Sequence, residues 1–131
     1  MLNQEGKIVS IQLCVAHRKP MMPVESAELV EGLGIRGDRH AIAESTRQIL
    51  LIEEETLEAL KLSAGQVKEN VTTLGLKLMG LERGQRIQVG DSALLEITKA
   101  CTPCGRMDEI RSGLQSELAG RRGILAKALR G

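Results

Sequence analysis

Short segments in which apolar and polar residues alternate, separated by turns rich in glycine, most constrain the fold of this chain. Alternation with a period of two is typical of β-strands, and short, closely spaced strands favour a closed or nearly closed barrel. The clearest case is the segment 85–98, where two alternating runs meet at Gly90-Asp91, a dipeptide typical of hairpin turns. The sequence therefore predicts a mainly β fold, a β barrel with a few short helices.

Further strands are predicted on both sides of this hairpin. Residues 7–15 are rich in β-branched side chains, and Ile8, Ile11, Leu13 and Val15 are expected to be mostly buried. The remaining strand segments are 27–31, 47–52 and 65–73, while 123–129 is either a strand or a helix.

Helical patterns are few and short. Residues 53–62 predict an amphipathic helix with an acidic first turn, which suits the helix dipole, and with Leu57 and Leu60 facing inward. Residues 74–81 predict a turn or short helix, and 107–118 a further helix. No repeat, linker or low-complexity segment interrupts this pattern.

The composition limits the classes of protein to consider. With 131 residues, 42% of them hydrophobic, one domain over residues 1–131 can bury a core without disulfide or metal cross-links. Eighteen basic and 17 acidic residues give a net charge of +1, so no general attraction to nucleic acid or membrane is expected. Because no apolar run is long enough to span a bilayer and no signal peptide is recognisable, a cytoplasmic location is predicted.

Phe, Tyr and Trp are all absent from the chain. Aliphatic residues and Met must therefore fill the core, since the residues that usually supply the largest apolar areas are missing. The absence also disfavours recognition of single-stranded nucleic acid, where bases commonly stack on aromatic rings. Whether the composition reflects redesign or unusual natural selection stays open.

The segment Cys101-Thr-Pro-Cys104 follows a predicted strand directly, and Pro103 stiffens the backbone before the second cysteine. A thiolate at a strand end can carry sulfur as a persulfide or bind a soft metal, and Arg106 would favour the thiolate form. Cys104 is thus the predicted reactive centre and metal ligand, with Cys101 as a resolving thiol.

Three other interpretations of the cysteines are possible. The pair can consist of buried small residues at a turn. A structural zinc site is disfavoured because the remaining ligands, Cys14, His17 and His40, are irregularly spaced. A thioredoxin-like redox pair is disfavoured because a β-hairpin, not a βαβ unit, precedes the motif.

Polar residues in two other regions predict an anion-binding pocket. The loop Gly34-Ile-Arg-Gly-Asp-Arg-His40, with Arg36, Gly37, Asp38 and His40, can bind phosphate through arginine charge and backbone N–H groups. The alternative is an exposed turn in which Asp38 pairs with an arginine.

Charged and amide side chains also interrupt two otherwise apolar strand segments. Arg47, Glu69 and Asn70 either line a polar cavity or form a cross-strand ion pair between Arg47 and Glu69. The basic pair 121–122 is either a solvated surface or an anion contact.

Five segments, taken in order, resemble the MOSC family. The Glu-Asn pair at 69–70, followed by Leu-Glu-Ile-Thr and Pro-Cys, makes the combination specific. The resemblance implies a β barrel, a cysteine matching Cys104 that binds molybdenum or carries sulfur, and a cofactor-facing pocket that includes the 34–40 loop, Arg47, Glu69 and Asn70. The segments are 34–40, 47–52, 65–76, 90–98 and 101–107.

Three functional hypotheses follow from the resemblance. The first is a stand-alone module of the bacterial type that binds the molybdenum cofactor, molybdopterin, with Cys104 as metal ligand or sulfur carrier for a molybdoenzyme. The second is a sulfur transferase that receives persulfide on Cys104 from a separate cysteine desulfurase, with Cys101 resolving the product. The third is a folded barrel without retained activity or cofactor. Whether the chain is an enzyme, and whether it forms a homo-oligomer, stays open.

Overall fold

A curled seven-stranded sheet, open along one side, organises the computed structural model, which describes residues 4–131. The strands are β1 Lys7–Leu13, β2 Met22–Val24, β3 Leu29–Val30, β4 Gly34–Ile35, β5 Ile49–Glu53, β6 Val71–Leu74, β7 Arg86–Val89, β8 Ala93–Ala100 and β9 Ile124–Arg130. The large sheet has the order β2-β1-β6-β5-β9-β8-β7, and β3 and β4 form a small separate sheet. The predicted mainly β fold is confirmed, with the barrel present as a half-barrel.

The helices are short: α1 Glu54–Leu60, α2 Arg106–Ile110, α3 Leu114–Glu117 and a 3-10 turn at Leu78–Gly80. The helix predicted over 107–118 is divided, because Arg111 has an extended backbone and Gly113 has a φ of 86°. Helix α1 lies between β5 and β6 in the chain, and these two strands pair in parallel. The hairpin of β7 and β8 pairs Val89 with Ala93, as its turn dipeptide predicts.

The predicted strand over 65–73 is wrong for its first half. Gly65 and Lys68 adopt positive φ values of 83° and 68°, and the Lys68 N–H donates to the Gly65 carbonyl at 3.0 Å. These residues therefore form turns, and β6 begins only at Val71. Similarly, β5 begins at Ile49 and not at Arg47, because the Gln48 side chain takes over hydrogen bonds that a strand backbone would make.

Strand β1 is less buried than the alternation predicts. Leu13 is buried, but Ile8 is 39% and Val15 51% exposed. Strand β2 covers β1 only opposite residues 11–13, and Val15 lies beyond the end of the strand. Strand β2 was not predicted; its Pro23 is tolerated because β2 is an edge strand, where a missing backbone donor breaks no ladder.

Two aliphatic clusters form the core. One fills the concave side of the sheet around Ile49, Leu51 and Ile97, and the other packs α1 against α2 and α3 around Leu57 and Leu114. Leu, Ile, Val, Ala and Met alone achieve this burial. Within residues 4–131, no helix has the length and apolar character needed to span a membrane.

The concave side of the sheet remains partly open as an apolar trough of about 720 Å³. Side chains of β1, β5 and β6 line one wall, and those of β7 and β8 line the other. A second, smaller cavity lies on another part of the surface, where β8 gives way to the cysteine segment, and it shares no lining residue with the trough.

Candidate functional site

This smaller cavity, the basic pocket, has a volume of about 380 Å³ and collects most of the residues that the sequence singled out. It lies between the segment after β1, the 39–40 end of the loop after β4, and the residues that link β8 to α2. Its lining residues are Cys14, Ala16, His17, Arg18, Lys19, Arg39, His40, Arg47, Leu50, Lys68, Asn70, Cys101, Cys104, Arg106, Met107, Glu109, Ile110, Arg122 and Leu125.

All three cysteines line the basic pocket as free thiols. Cys104 is exposed and lies just before α2, where its carbonyl accepts the Met107 N–H at 3.0 Å. Cys101 is buried and forms a small cluster with Leu50 and Leu125. Cys104 is therefore the thiol that an incoming molecule reaches first.

Cationic side chains dominate the charge of the basic pocket. Glu109 is the one acidic side chain among the described lining residues, and an Arg18 ion pair at 3.3 Å offsets its charge. The lining cations are Arg18, Lys19, Arg39, Arg47, Lys68, Arg106 and Arg122. A chain with a net charge of only +1 thus concentrates positive charge at one place.

His17 lies within this concentration of charge. Desolvation, together with the guanidinium groups of Arg39, Arg106 and Arg18, lowers the pKa of His17 below its usual value. A positive field disfavours the protonated imidazole, and an anion in the pocket would favour it.

Arg122 is the most deeply placed cation. Its side chain is only 6% exposed, and its Nη2 donates to the Val67 carbonyl at 2.6 Å. Its Nη1 has no hydrogen-bond partner among the described residues. Burial lowers the pKa of Arg122, while the Cys101 thiol, the Glu69 carboxylate and the Cys104 thiol oppose that shift.

A buried polar cluster holds the wall of the basic pocket in place. The Asn70 side chain accepts the Leu50 N–H at 3.0 Å and donates to the Gln12 carbonyl at 3.1 Å and to Asp38 at 3.0 Å. Asp38 also accepts the N–H groups of Cys14 at 2.6 Å and His40 at 2.9 Å. One carboxylate and one amide thus connect β1, the 38–40 loop, β5 and the start of β6.

Comparison with known proteins agrees with this architecture. The sequence model described as "MOSC domain" matches residues 37–130, most of the chain. The chain belongs to the MOSC family. A comparison with curated proteins gave no match.

Solved structures show the same fold as this MOSC domain. The YUAD protein from Bacillus subtilis superposes with a TM-score of 0.78 at 18% identity, over 95% of this chain and 88% of that one. YiiM from Geobacillus stearothermophilus gives 0.74 at 19% identity, covering 96% and 69%. YiiM from Escherichia coli gives 0.69 at 18%, covering 94% and 62%, so this MOSC domain spans less than two thirds of that protein.

The predicted site residues of the MOSC domain fall into two groups. One group reaches the basic pocket, and its members are Cys101, Cys104, His40, Arg47, Asn70 and Arg106. The other group does not line it. Arg36 is exposed and pairs with Glu28, Gly37 is exposed, and Asp38 lies buried behind the wall.

Glu69 also lies outside the basic pocket. It is fully buried, and its carboxylate accepts the Gly65 N–H at 2.7 Å and the Thr72 hydroxyl at 3.1 Å. The alternative ion pair with Arg47 is not formed among the described residues. Burial raises the pKa of Glu69, although these hydrogen bonds and the charge of Arg122 oppose the shift.

Sequence reasoning missed much of the basic wall of this MOSC domain. Cys14, Arg18 and Lys68 line the pocket but were not assigned to a site. The run of residues 14–19, which ends in His-Arg-Lys directly after a strand, carried a signal of local positive charge. Its position beside Asn70 follows only from the pairing of β1 with β6.

Proposed function

We propose that this MOSC domain binds a molybdenum cofactor of the molybdopterin type in the basic pocket, with Cys104 as a ligand of molybdenum. The observation that carries the proposal is the convergence of an exposed thiol with a ring of cationic side chains on one cavity. A molybdoenzyme is the corresponding partner class. Family membership supports the proposal, because the matched region includes Cys104 and most of the pocket.

The side chains of the basic pocket suit both the metal and the phosphate group of such a cofactor. A thiolate is a soft ligand for a high-valent metal, which points to Cys104. Guanidinium groups bind phosphate oxygens in a bidentate manner, and Arg39, Arg47 and Arg106 are available for that contact. The unpartnered Nη1 of Arg122 supplies one further buried donor.

The walls of the basic pocket contain no Phe, Tyr or Trp side chain. Leu50, Met107, Ile110 and Leu125 supply aliphatic contacts for a flat ring system. When bound, the cofactor would supply the redox and atom-transfer chemistry of its metal. The chain itself would bind the phosphate through arginines, orient the ring between aliphatic side chains, and hold Cys104 at the metal.

Loss of metal in a Cys104 variant tests this proposal. In a host that makes the cofactor, the unaltered protein is expected to copurify with molybdenum, and Cys104→Ser with at least about tenfold less, because a hydroxyl is a poor ligand for a soft site. Elemental analysis of the purified proteins gives the measurement. Thr102→Ser, at an exposed position in the same segment, is the matched control. Equal molybdenum content in Cys104→Ser and the unaltered protein would remove the ligand role.

The exposure of Cys104 favours a second candidate, a sulfur carrier. An accessible thiol can receive sulfur from a separate cysteine desulfurase and hold it as a persulfide, whereas a buried thiol cannot meet a second protein. In this function Cys101, buried nearby and lining the same pocket, would be the resolving thiol. The expected product is a persulfide on Cys104 after incubation with a desulfurase and cysteine, and its absence would argue against the carrier role.

A further inference from the structure

Arg122, the deepest cation lining the basic pocket, is held by a backbone carbonyl and interacts electrostatically with the buried Glu69 carboxylate. The Val67 carbonyl fixes one end of the Arg122 guanidinium, and Nη1 has no partner among residues 4–131. A side chain that is 94% buried and still has an unpartnered donor is costly unless a ligand completes it. This arrangement suits an anion bound beside Arg122.

The other cationic side chains of the pocket differ in whether they already have a hydrogen-bond or ion-pair partner within the protein. Arg18 pairs with Glu109, and the Lys68 ammonium donates to the Lys19 carbonyl at 3.2 Å. In contrast, Arg39, Arg47 and Arg106 have no side-chain hydrogen bond or ion pair in the described part of the chain. Several unengaged guanidinium groups around about 380 Å³ suit an anion with more than one negative charge.

The exposed thiol of Cys104 limits which class of anion could react in the pocket. A phosphate or sulfate would be held by the arginines but offers a thiolate no atom that it can readily attack. An anion of the thiosulfate type combines two features in one small molecule. Its sulfonate group can bind the arginines, and its outer sulfur can accept attack by a thiolate. Cys104, exposed at the same cavity, is placed to be that nucleophile.

We propose that this pocket takes sulfur directly from a small oxyanion of the thiosulfate class, whose sulfonate oxygens bind Arg122 and Arg47 while its outer sulfur passes to Cys104. The proposal rests on the sulfur-carrying role of Cys104 and names a donor for it other than a desulfurase.

The transfer balances without an external oxidant or reductant. The Cys104 thiolate forms a bond to the outer sulfur, the sulfur–sulfur bond of thiosulfate breaks, and sulfite leaves with the electron pair of that bond. Cys104 is left as a persulfide anion. Cyanide, added as acceptor, removes the outer sulfur as thiocyanate and restores the thiolate. The arginines stabilise the charge that develops on the departing sulfite.

Sulfite and thiocyanate release test the proposal. Reduced protein mixed with thiosulfate is expected to release sulfite and gain about 32 Da at Cys104, the mass of one sulfur atom in the persulfide. With cyanide present, thiocyanate is expected to form catalytically. Cys104→Ser should lose all three signals. No sulfite above the rate of the Cys104→Ser protein, and no persulfide on the unaltered protein, would overturn the proposal.

Arginine variants test where the sulfonate binds. Because Arg122 interacts electrostatically with the buried Glu69 carboxylate, removal of Arg122 alone can unfold the chain. The variant to use is therefore Glu69→Gln/Arg122→Gln, which neutralises both charges. Its KM for thiosulfate is expected to rise about 10- to 100-fold, the usual loss for a charge-assisted hydrogen bond. Arg47→Gln, at an exposed position, should raise KM about 3- to 10-fold.

Arg121→Gln is the matched control, since Arg121 is adjacent in sequence, donates to the Glu117 carbonyl at 2.8 Å and does not line the pocket. Equal KM values in the Arg121, Arg47 and double variants would contradict the assignment of the sulfonate site.

A desulfurase with cysteine, run in parallel, separates this proposal from the function on which it rests. A persulfide from the desulfurase but none from thiosulfate overturns the thiosulfate proposal and leaves the carrier role intact. Transfer from thiosulfate in a protein that loads no molybdenum supports the proposal while the cofactor role fails.

Discussion

At the scale of single residues, Asp38 shows how a polar side chain outside the basic pocket can still shape it. Burial alone would raise the pKa of Asp38, but hydrogen bonds from His40 and from the Cys14 N–H outweigh it and leave the pKa below its usual value. The carboxylate therefore stays ionised and fixes the two backbone segments that carry Cys14 and His40. Hydrogen bonds within the protein thus hold the wall of the pocket together.

This linkage predicts a pH-dependent stability difference between Asp38→Asn and the unaltered protein. Because the folded state lowers the pKa from 3.8, ionised Asp38 stabilises the fold above that value, and the contribution disappears as pH falls through the lowered pKa. At neutral pH the variant should be about 1 to 3 kcal/mol less stable, since an amide presents an N–H group where an N–H donor already points.

Urea unfolding of both proteins, followed by circular dichroism from about pH 7 down to about pH 2, measures the difference. The two curves should converge at the acid end. A constant difference over the whole range would show that Asp38 acts through shape and not through charge.

Part of the candidate site could be predicted residue by residue. Cys104, Arg47 and Asn70 stand out because each is a reactive or polar side chain beside an apolar run. Arg18 does not stand out, since a surface arginine after a strand is common and its position at the pocket follows from tertiary contacts. Asp38 was predicted as a ligand-facing residue, but its hydrogen bonds to the backbone of Cys14 and His40 turn it inward.

At the scale of elements, β6 carries two adjacent threonines with opposite environments. Both are buried, Thr72 fully and Thr73 to 98%. The Thr72 hydroxyl donates to Glu69 at 3.1 Å, whereas the Thr73 hydroxyl has no partner among the described residues and lies on the side of the trough. Alternation along the strand places one hydroxyl at a carboxylate and the other among apolar side chains.

Replacement of each threonine by valine is predicted to have opposite effects. Thr73→Val removes an unpartnered buried hydroxyl and should raise the free energy of unfolding by about 1 kcal/mol. Thr72→Val removes a donor from a buried carboxylate and should lower it by about 1 to 3 kcal/mol. Urea unfolding compares the pair, and each variant controls for the volume change in the other. An equal loss of unfolding free energy in both variants would mean that packing, and not hydrogen bonding, determines the effect of the two substitutions.

The elements themselves were predictable where local signals agree with tertiary contacts. The β7–β8 hairpin has both alternation and a turn dipeptide, and it forms as predicted. The segment 65–70 alternates as a strand would, but the Glu69 carboxylate holds the Gly65 N–H and the Asn70 side chain occupies the strand edge. The periodicity of apolar residues cannot reveal such competition of side chains for backbone hydrogen bonds.

At the scale of the whole molecule, charge is distributed unevenly. The total is +1, yet the lining of the basic pocket is strongly cationic. Close positive charges in a concave site raise the local concentration of anions, and salt weakens this attraction. Net charge alone gives no indication of the pocket, and only the fold brings the arginines together.

The positive field of the basic pocket is predicted to make the reaction rate of Cys104 depend on the charge of the thiol reagent. Cys104 should react first, because Cys14 and Cys101 are buried. Its rate with the dianionic disulfide DTNB should fall about three- to tenfold between about 0.02 M and 0.5 M NaCl, while the rate with neutral dithiodipyridine changes little. Stopped-flow absorbance measures both rates, and a Cys104→Ser protein supplies the background. The same salt dependence for both reagents would contradict a local positive field at Cys104.

The position of β9 in the sheet has a consequence for how the chain is made. Strand β9 lies between β5 and β8 and pairs with both, although it follows them in the sequence. While the nascent chain leaves the ribosome, β5 and β8 therefore expose edges that only β9 can cover. The central sheet is completed after β9 emerges, and until then the growing polypeptide presents open β edges that chaperones recognise.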